Sequence, residues 1–508
     1  MKKILIVIIA VVLVSSCQDA LEIPPQSNLE LGNFFASVAD FELALGGAYD
    51  VVASHQGPSN GFGSYFRGLM MMGRAGTDEM FVAQYDDHKY IGNYTYTPFS
   101  RVPADTYADQ YRGISRCNVI IGKINENVVS MSTDSRNKIL GEASFLRGFY
   151  YFQLARFFGG VPIITESTNI NEFKNVRSTL AETYERVIAD FKTAEENLPV
   201  TNEDGRATKY VAKTYLAKVY LQMSGVPLND ASAAALAASY AKDVIDNGPY
   251  DLEPVYGDIF ELDNEHGIEY IFDAEYISSN NEGGQVGTWD GTLGPWENNI
   301  SYKLGRATVE LFDSYDPLDL RRARNVVDYL VINANGDTEP ITDGTVYAYK
   351  WRHDPDPATR GYSTEWQSPF NFPLTRYADV LLTYAEAKWR DAGSSASYSD
   401  AEALLAINQV RRRGFGLDIN SPQSVDLGSI NEQALLDERK WELAFEGHRW
   451  VDLVRFGKLL ETVQALTSEG SQFAAANIQE YHILYPIPAR EIQISGGDLK
   501  QNPGYSTE

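Results

Sequence analysis

The feature that most constrains this chain is a helical hairpin that recurs with matched start and stop signals. Thr179-Leu-Ala-Glu182 has the form of a capping box, in which a threonine hydroxyl and a glutamate carboxylate satisfy the free amides of a first helical turn. Leu180, Tyr184, Val187, Ile188, Phe191 and Leu198 then share one face, and Pro199 stops the helix. Gly205 falls in the turn, and residues 207–223 carry a second stripe of Val211, Tyr215, Leu216, Val219 and Tyr220. The same unit is expected at 104–124 with 135–158. It is expected again at 376–391, with a partner helix opened by Ser399-Asp-Ala-Glu402 and a further helix opened by Ser429-Ile-Asn-Glu432. Hairpins of this length, with Ala, Tyr and Leu at the crossing positions, bury their apolar stripes only by stacking on neighbours. The expected fold is therefore mainly α: an α/α superhelix of tetratricopeptide-like hairpins.

One stretch breaks the pattern. Residues 248–373 read as a loop-rich insert with short β-like runs at 268–272 and 346–351, and with a helical stripe only at 306–315. Four of the seven tryptophans, Trp289, Trp296, Trp351 and Trp366, fall there beside Gly, Asp, Asn and Pro. Trp389, Trp441 and Trp450 lie on helical stripes and read as core. A sugar ring offers an apolar C–H face and a hydroxyl rim, so a site for it needs flat aromatic surface edged by Asp, Asn, Gln or Arg. Trp289-Asp290 and Trp296-Glu297-Asn298-Asn299 combine both, and Trp366 adds another ring. Residues 61–98 form a second candidate region, in which Tyr85 and Asp87 carry the same residue types.

The N-terminus carries an address. Lys2 and Lys3 precede an apolar run from Ile4 to Val14, which is too short for a permanent span of roughly 20 residues and fits a signal peptide over 1–16. Val14-Ser15-Ser16-Cys17 is similar to the bacterial lipobox, which implies cleavage before Cys17, lipid on that cysteine and a polar tether over 17–28, leaving 29–508 as the folded domain. Only Cys117 then remains as a thiol. Its spacing with Ile114, Asn118 and Ile121 marks it as a buried small hydrophobe, and no intramolecular disulfide can form.

Charge and motif content bound the function. The formal charge of −26 disfavours nucleic acid, which requires a concentrated basic surface, and suits a neutral or cationic ligand. The six histidines are scattered, and HExxH, CxxC, GxSxG, Walker A and GxGxxG are all absent from the sequence. No cofactor is expected. Asn202-Glu203-Asp204-Gly205 and Asp354-Pro-Asp356 could touch a structural calcium, although neither completes a hard-cation loop and both read first as solvated turns.

The most specific resemblance sits in the C-terminal third. Residues 376–387, Asn408-Gln-Val-Arg-Arg-Arg413, residues 438–455, Tyr485-Pro-Ile-Pro488 and Asn502-Pro-Gly-Tyr505 together resemble the SusD/RagB family of outer-membrane lipoproteins. Glu142 to Arg147, Phe157 to Ile163 and the pair Asp78-Glu79 extend the resemblance upstream. Glu438, Arg439, Glu442, Glu446, His448 and Arg449 stand at helical spacing and read as a polar network that fixes the last helices. The resemblance implies an array over 29–247 and 374–508 with a variable ligand region over 248–373, joined by 61–98. It further implies capture of oligo- or polysaccharide without catalysis, and delivery to a TonB-dependent transporter barrel of the SusC type. A peptide ligand, as in RagB-type relatives, and an envelope scaffold without a small ligand stay open as alternatives.

Overall fold

The computed structural model describes residues 34–53, 63–169, 171–277, 283–284, 304–332, 337–351, 368 and 370–506. Cys17, Trp289, Trp296 and Trp366 lie outside the described residues. Ten helices organise the rest: α1 Val38–Ala53, α2 Arg101–Glu126, α3 Thr133–Phe158, α4 Leu180–Asn197, α5 Lys209–Met223, α6 Ala233–Asn247, α7 Tyr377–Asp391, α8 Ala401–Gly414, α9 Glu432–Leu443 and α10 Arg449–Arg455. From α2 to α8 each helix packs on the next. The series passes directly from α6 to α7 although residues 248–376 intervene in sequence. The fold is mainly helical, and the insert leaves the helical stack between two consecutive members.

Local chemistry sets the helix boundaries. The capping box at Thr179 forms: the Glu182 carboxylate accepts from the Thr179 amide at 2.7 Å, and the Glu182 amide donates to the Thr179 hydroxyl at 3.2 Å. Two other starts differ from expectation. Asp400, one residue beyond Ser399, caps α8 by accepting from the Ala403 amide at 2.9 Å, and Asn431, two beyond Ser429, caps α9 through the Ala434 amide at 2.9 Å. The Glu402 carboxylate, freed from that box, accepts from the Tyr384 hydroxyl at 2.8 Å. All three residue types cap well, so the competition is decided by where the apolar face must turn inward.

Among the described residues the 61–98 region contributes one short strand, β1 Met80–Val82, and the insert with its C-terminal border contributes the others: β2 Tyr270–Ala274, β3 Gly305–Ala307, β4 Val326–Val327, β5 Tyr329–Val331, β6 Thr338–Pro340, β7 Tyr347–Ala348 and β8 Phe372–Arg376. They pair antiparallel as β1–β3, β2–β8, β4–β7 and β5–β6. The stripe expected at 306–315 is divided, its start in β3 and a helix only over Val309–Ser314. A common core joins these strands to the array. Phe272 of β2 sits 5.0 Å from Phe145 of α3, and Trp351 lies 5.3 Å from both Phe260 and Phe372. Trp351 is therefore a core residue, fully buried, and no ligand platform. Trp450 is also buried, stacked 5.4 Å from Phe157. Cys117 is buried in the α2 face, where desolvation pushes its thiol well above the usual range.

Beneath the last helices lies a dense buried ion lattice. Arg376 donates to Glu446 at 2.8 and 2.7 Å, to Glu442 at 3.0 Å and to Glu269. Arg413 bridges Glu442 at 2.6 Å and Glu269 at 2.8 Å, Arg321 reaches Glu438 at 2.7 Å, and Lys350 reaches Glu446 at 2.7 Å. A neighbouring chain of pairs runs from Asp379 through Arg439 and Asp452 to Arg455 and Glu386. Arg449 grips Asp78 in a two-pronged pair at 2.7 Å. His448 lies buried among them, where desolvation lowers its pKa to about 3 and keeps it neutral. Every residue of the expected Glu438–Arg449 network is thus buried and structural.

These pairs predict an acid limb in stability. Burial opposes ionisation of Glu442, yet Arg413, Arg376 and Arg321 hold its pKa down at about 2; Arg439 and Arg455 do the same for Asp452, also at about 2. Folded values below the unfolded ones mean that this stabilisation is complete above pH about 4.5 and is lost as pH falls toward 2. Thermal melting followed by circular dichroism should show a steep fall in melting temperature between pH 4.5 and 2.5. A flat profile there would count against the lattice.

Candidate functional site

A cleft with a volume of about 480 Å3 gathers four separate segments. Its floor is the β1–β3 pair, in which Phe81 stands opposite Arg306. A short helix, Asp86–Gly92, follows β1 and supplies Lys89, with Asn93 just beyond it. The 343–346 loop forms another wall, and residues 468–473, a turn that runs into the short helix Gln472–Asn477, close the last side with Glu469 and the exposed Phe473.

Each wall is fixed by local chemistry. The Glu310 carboxylate accepts the amides of Thr467 at 2.8 Å and Ser468 at 2.9 Å, which ties the 468–473 turn to the helix after β3. Gly470, at φ +93°, lies flat on the Phe81 ring; a β-carbon there would fall 2.3 Å from a ring carbon, so the close approach requires glycine. Asp343 accepts from the Thr345 amide at 2.9 Å, and that hydrogen bond holds its carboxyl below the usual range. The Arg306 guanidinium stands 5.5 Å from the Tyr347 ring centre. The result is apolar surface from Phe81, Val309 and Phe473, edged by Lys89, Asn93, Arg306, Asp343 and Glu469. Such a surface can hold a polyol with C–H faces on the rings and hydroxyls on the rim.

The expected regions 61–98 and 248–373 both contribute walls, but through different side chains from those singled out. Tyr85 is exposed at the start of the Asp86–Gly92 helix with φ +62°, and Asp87 is half-buried in the first turn of that helix; neither lines the cleft. The 468–473 wall was hidden in sequence, because a short turn leading into a six-residue helix with one phenylalanine carries no periodic signal. Arg306, Asp343 and Lys89 are single charged residues whose convergence is visible only in three dimensions.

Two smaller clefts, of about 230 and 180 Å3, flank the 202–206 turn. Asn202 is engaged structurally, donating to the Ala207 carbonyl at 2.9 Å and accepting from the Glu203 amide at 3.0 Å. The second calcium candidate, Asp354 with Asp356, lies outside the described residues. Beside the turn, His266, Asp273 and Glu275 each offer one possible metal-ligating atom within 4.8 Å of the others.

The whole chain is similar to known proteins. Residues 323–505 match a family model described as the SusD family, and residues 68–221 match one described as starch-binding and associating with the outer membrane. The SusD-like protein P2 of Formosa agariphila is 27% identical over 530 aligned residues, covering 99% of both chains. The starch-binding protein SusD of Bacteroides thetaiotaomicron is 33% identical over 135 residues, which cover 27% of this chain and 22% of that one. A SusD homologue of Bacteroides thetaiotaomicron known by crystal structure superposes with a TM-score of 0.81 at 26% identity, over 94% of this chain and 99% of its own. The 323–505 match contains most of the Arg and Glu residues of the buried lattice and the 68–221 match contains the cleft's β1 wall, so with the shared helical stack the chain belongs to the SusD/RagB family.

Proposed function

We propose that this protein binds glycan at the outer membrane, without catalysis, and delivers oligosaccharide to a SusC-type TonB-dependent transporter barrel. The observation that carries the reading is the match of residues 68–221 to a model described as starch-binding and outer-membrane-associated. That stretch supplies Phe81, Lys89 and Asn93 to the large cleft. Trp289, Trp296 and Trp366 are proposed as the main stacking surfaces, with Tyr85 and Asp87 at the start of the Asp86–Gly92 helix as further contacts. A neutral glycan fits best: the net charge of −26 repels sulfated or uronic chains, and the cleft rim balances Lys89 and Arg306 against Asp343 and Glu469.

Lipid on Cys17 would hold this binding domain beside its transporter, facing the cell exterior, with residues 17–28 as a tether. Cys17→Ala is expected to move the protein from the membrane to the soluble fraction. Oligosaccharide affinity should stay at the wild-type value while uptake by the cell is lost. Retention of the variant in washed outer membranes would overturn the anchor.

A further inference from the structure

We propose that His266, Asp273 and Glu275 form a binding site for a first-row transition-metal dication of the zinc class. The three side chains converge from both ends of β2. His266, held at φ +57°, precedes the strand, Asp273 lies on it, and Glu275 follows it. His266 Nε2 stands 3.4 Å from Glu275 Oε2, and one ring nitrogen of His266 with one oxygen from each carboxylate all lie within 4.8 Å of one another. A coordination shell at about 2.1 Å spaces neighbouring donors by roughly 3–3.5 Å, so the widest of these separations must shorten by about 1–1.5 Å, a side-chain adjustment, to close on an ion.

The independent pointer is Asp273 itself. Its side chain is 4% exposed, and Oδ2 is buried with no hydrogen-bond donor, aimed at the imidazole. A buried carboxylate oxygen without a donor is costly, and a bound cation removes that cost. The Arg206 guanidinium, which lines the flanking cleft, is already engaged with Glu142 at 3.0 Å and Glu42 at 3.5 Å.

The surroundings are ordered for ligation. The Asn371 amide oxygen accepts from the Tyr276 amide at 2.7 Å, which orients its nitrogen to donate to Glu275 Oε2 at 3.0 Å. Such a hydrogen bond aligns a ligating carboxylate. Gly205, at φ +72°, packs on Glu275 so tightly that a β-carbon would fall 2.8 Å from Glu275 Cγ. One imidazole with two carboxylates favours zinc and its neighbours over calcium or magnesium, which prefer all-oxygen shells. The ion would pin the end of β2, from which the chain runs on to Trp289 and Trp296, against the 202–206 turn.

The test is calorimetric titration of the chelator-stripped mature chain with zinc, manganese, calcium and magnesium chlorides. One zinc per chain with micromolar or tighter affinity is expected, with manganese weaker and calcium and magnesium weaker still. Asp273→Asn and His266→Gln should each weaken zinc by ~100-fold while remaining folded by circular dichroism. If one variant fails to fold, the other carries the comparison. Absence of zinc binding, calcium binding tighter than zinc, or zinc binding unchanged in the folded variants would each overturn the site. Glycan affinity is measured separately and does not depend on this outcome.

Discussion

Arg376→Met is expected to lower the stability of the folded domain by about 3–5 kcal/mol, because it takes a counter-charge from three buried carboxylates at once. Arg376 is fully buried and supplies hydrogen bonds to Glu446, Glu442 and Glu269, and its Nη2 also donates to the Glu442 carbonyl at 3.2 Å. Arg413 still pairs with Glu269 and Glu442, and Lys350 with Glu446, so each carboxylate keeps one cation but loses the guanidinium that joins all three. A native protein has only about 5–15 kcal/mol in hand, so the variant should express mostly as insoluble protein or melt far below wild type. Lys123→Ala provides the contrast. Its partner Glu126 lies 2.6 Å away at the surface, and loss of an exposed pair costs at most about 1 kcal/mol. Equal melting temperatures for Arg376→Met and wild type would show that the lattice does not hold the last helices to β8.

Trp289→Ala combined with Trp296→Ala is expected to weaken glycan binding by on the order of 100-fold. A ring stacked on a sugar face contributes about 1–2 kcal/mol, and each 1.4 kcal/mol is a factor of ten in affinity. Calorimetry with the oligosaccharide that binds wild type reads the effect, and an unchanged dissociation constant would remove both tryptophans from the site. Phe81→Ala, in the cleft floor, separates the two surfaces: a loss there with no loss at the tryptophans would move the site into the 480 Å3 cleft.

Sequence alone carried the helical part of this fold because its signals are local. Thr179 and Glu182 announce a helix start within four residues, and the stripe from Leu180 to Phe191 shows which face turns inward. The caps at Asp400 and Asn431 were misplaced by one and two residues because several good capping residues stand side by side. The polar cluster from Glu438 to Arg449 was legible as a network on one helical turn after another, but its partners were not. Glu269, Arg321 and Lys350 come from the insert and Arg376 from the end of β8, where no periodicity ties them to α9. The cleft was legible only as two regions of suitable composition. Its actual side chains, Phe81, Arg306, Asp343, Glu469 and Phe473, are ordinary residues until β1, β3 and two turns bring them together. Trp351 illustrates the limit of composition, since a tryptophan beside loop residues became part of the core once Phe260 and Phe372 closed over it.

The central claim is that the folded domain captures glycan without altering it. Affinity electrophoresis of the purified mature chain through gels containing a panel of neutral, uronic and sulfated polysaccharides tests this directly, with reducing-end release assayed on the same samples. The expected result is retardation by at least one neutral polysaccharide and no new reducing ends. Mobility unaffected by every polysaccharide, with calorimetric binding of cationic peptides instead, would contradict it.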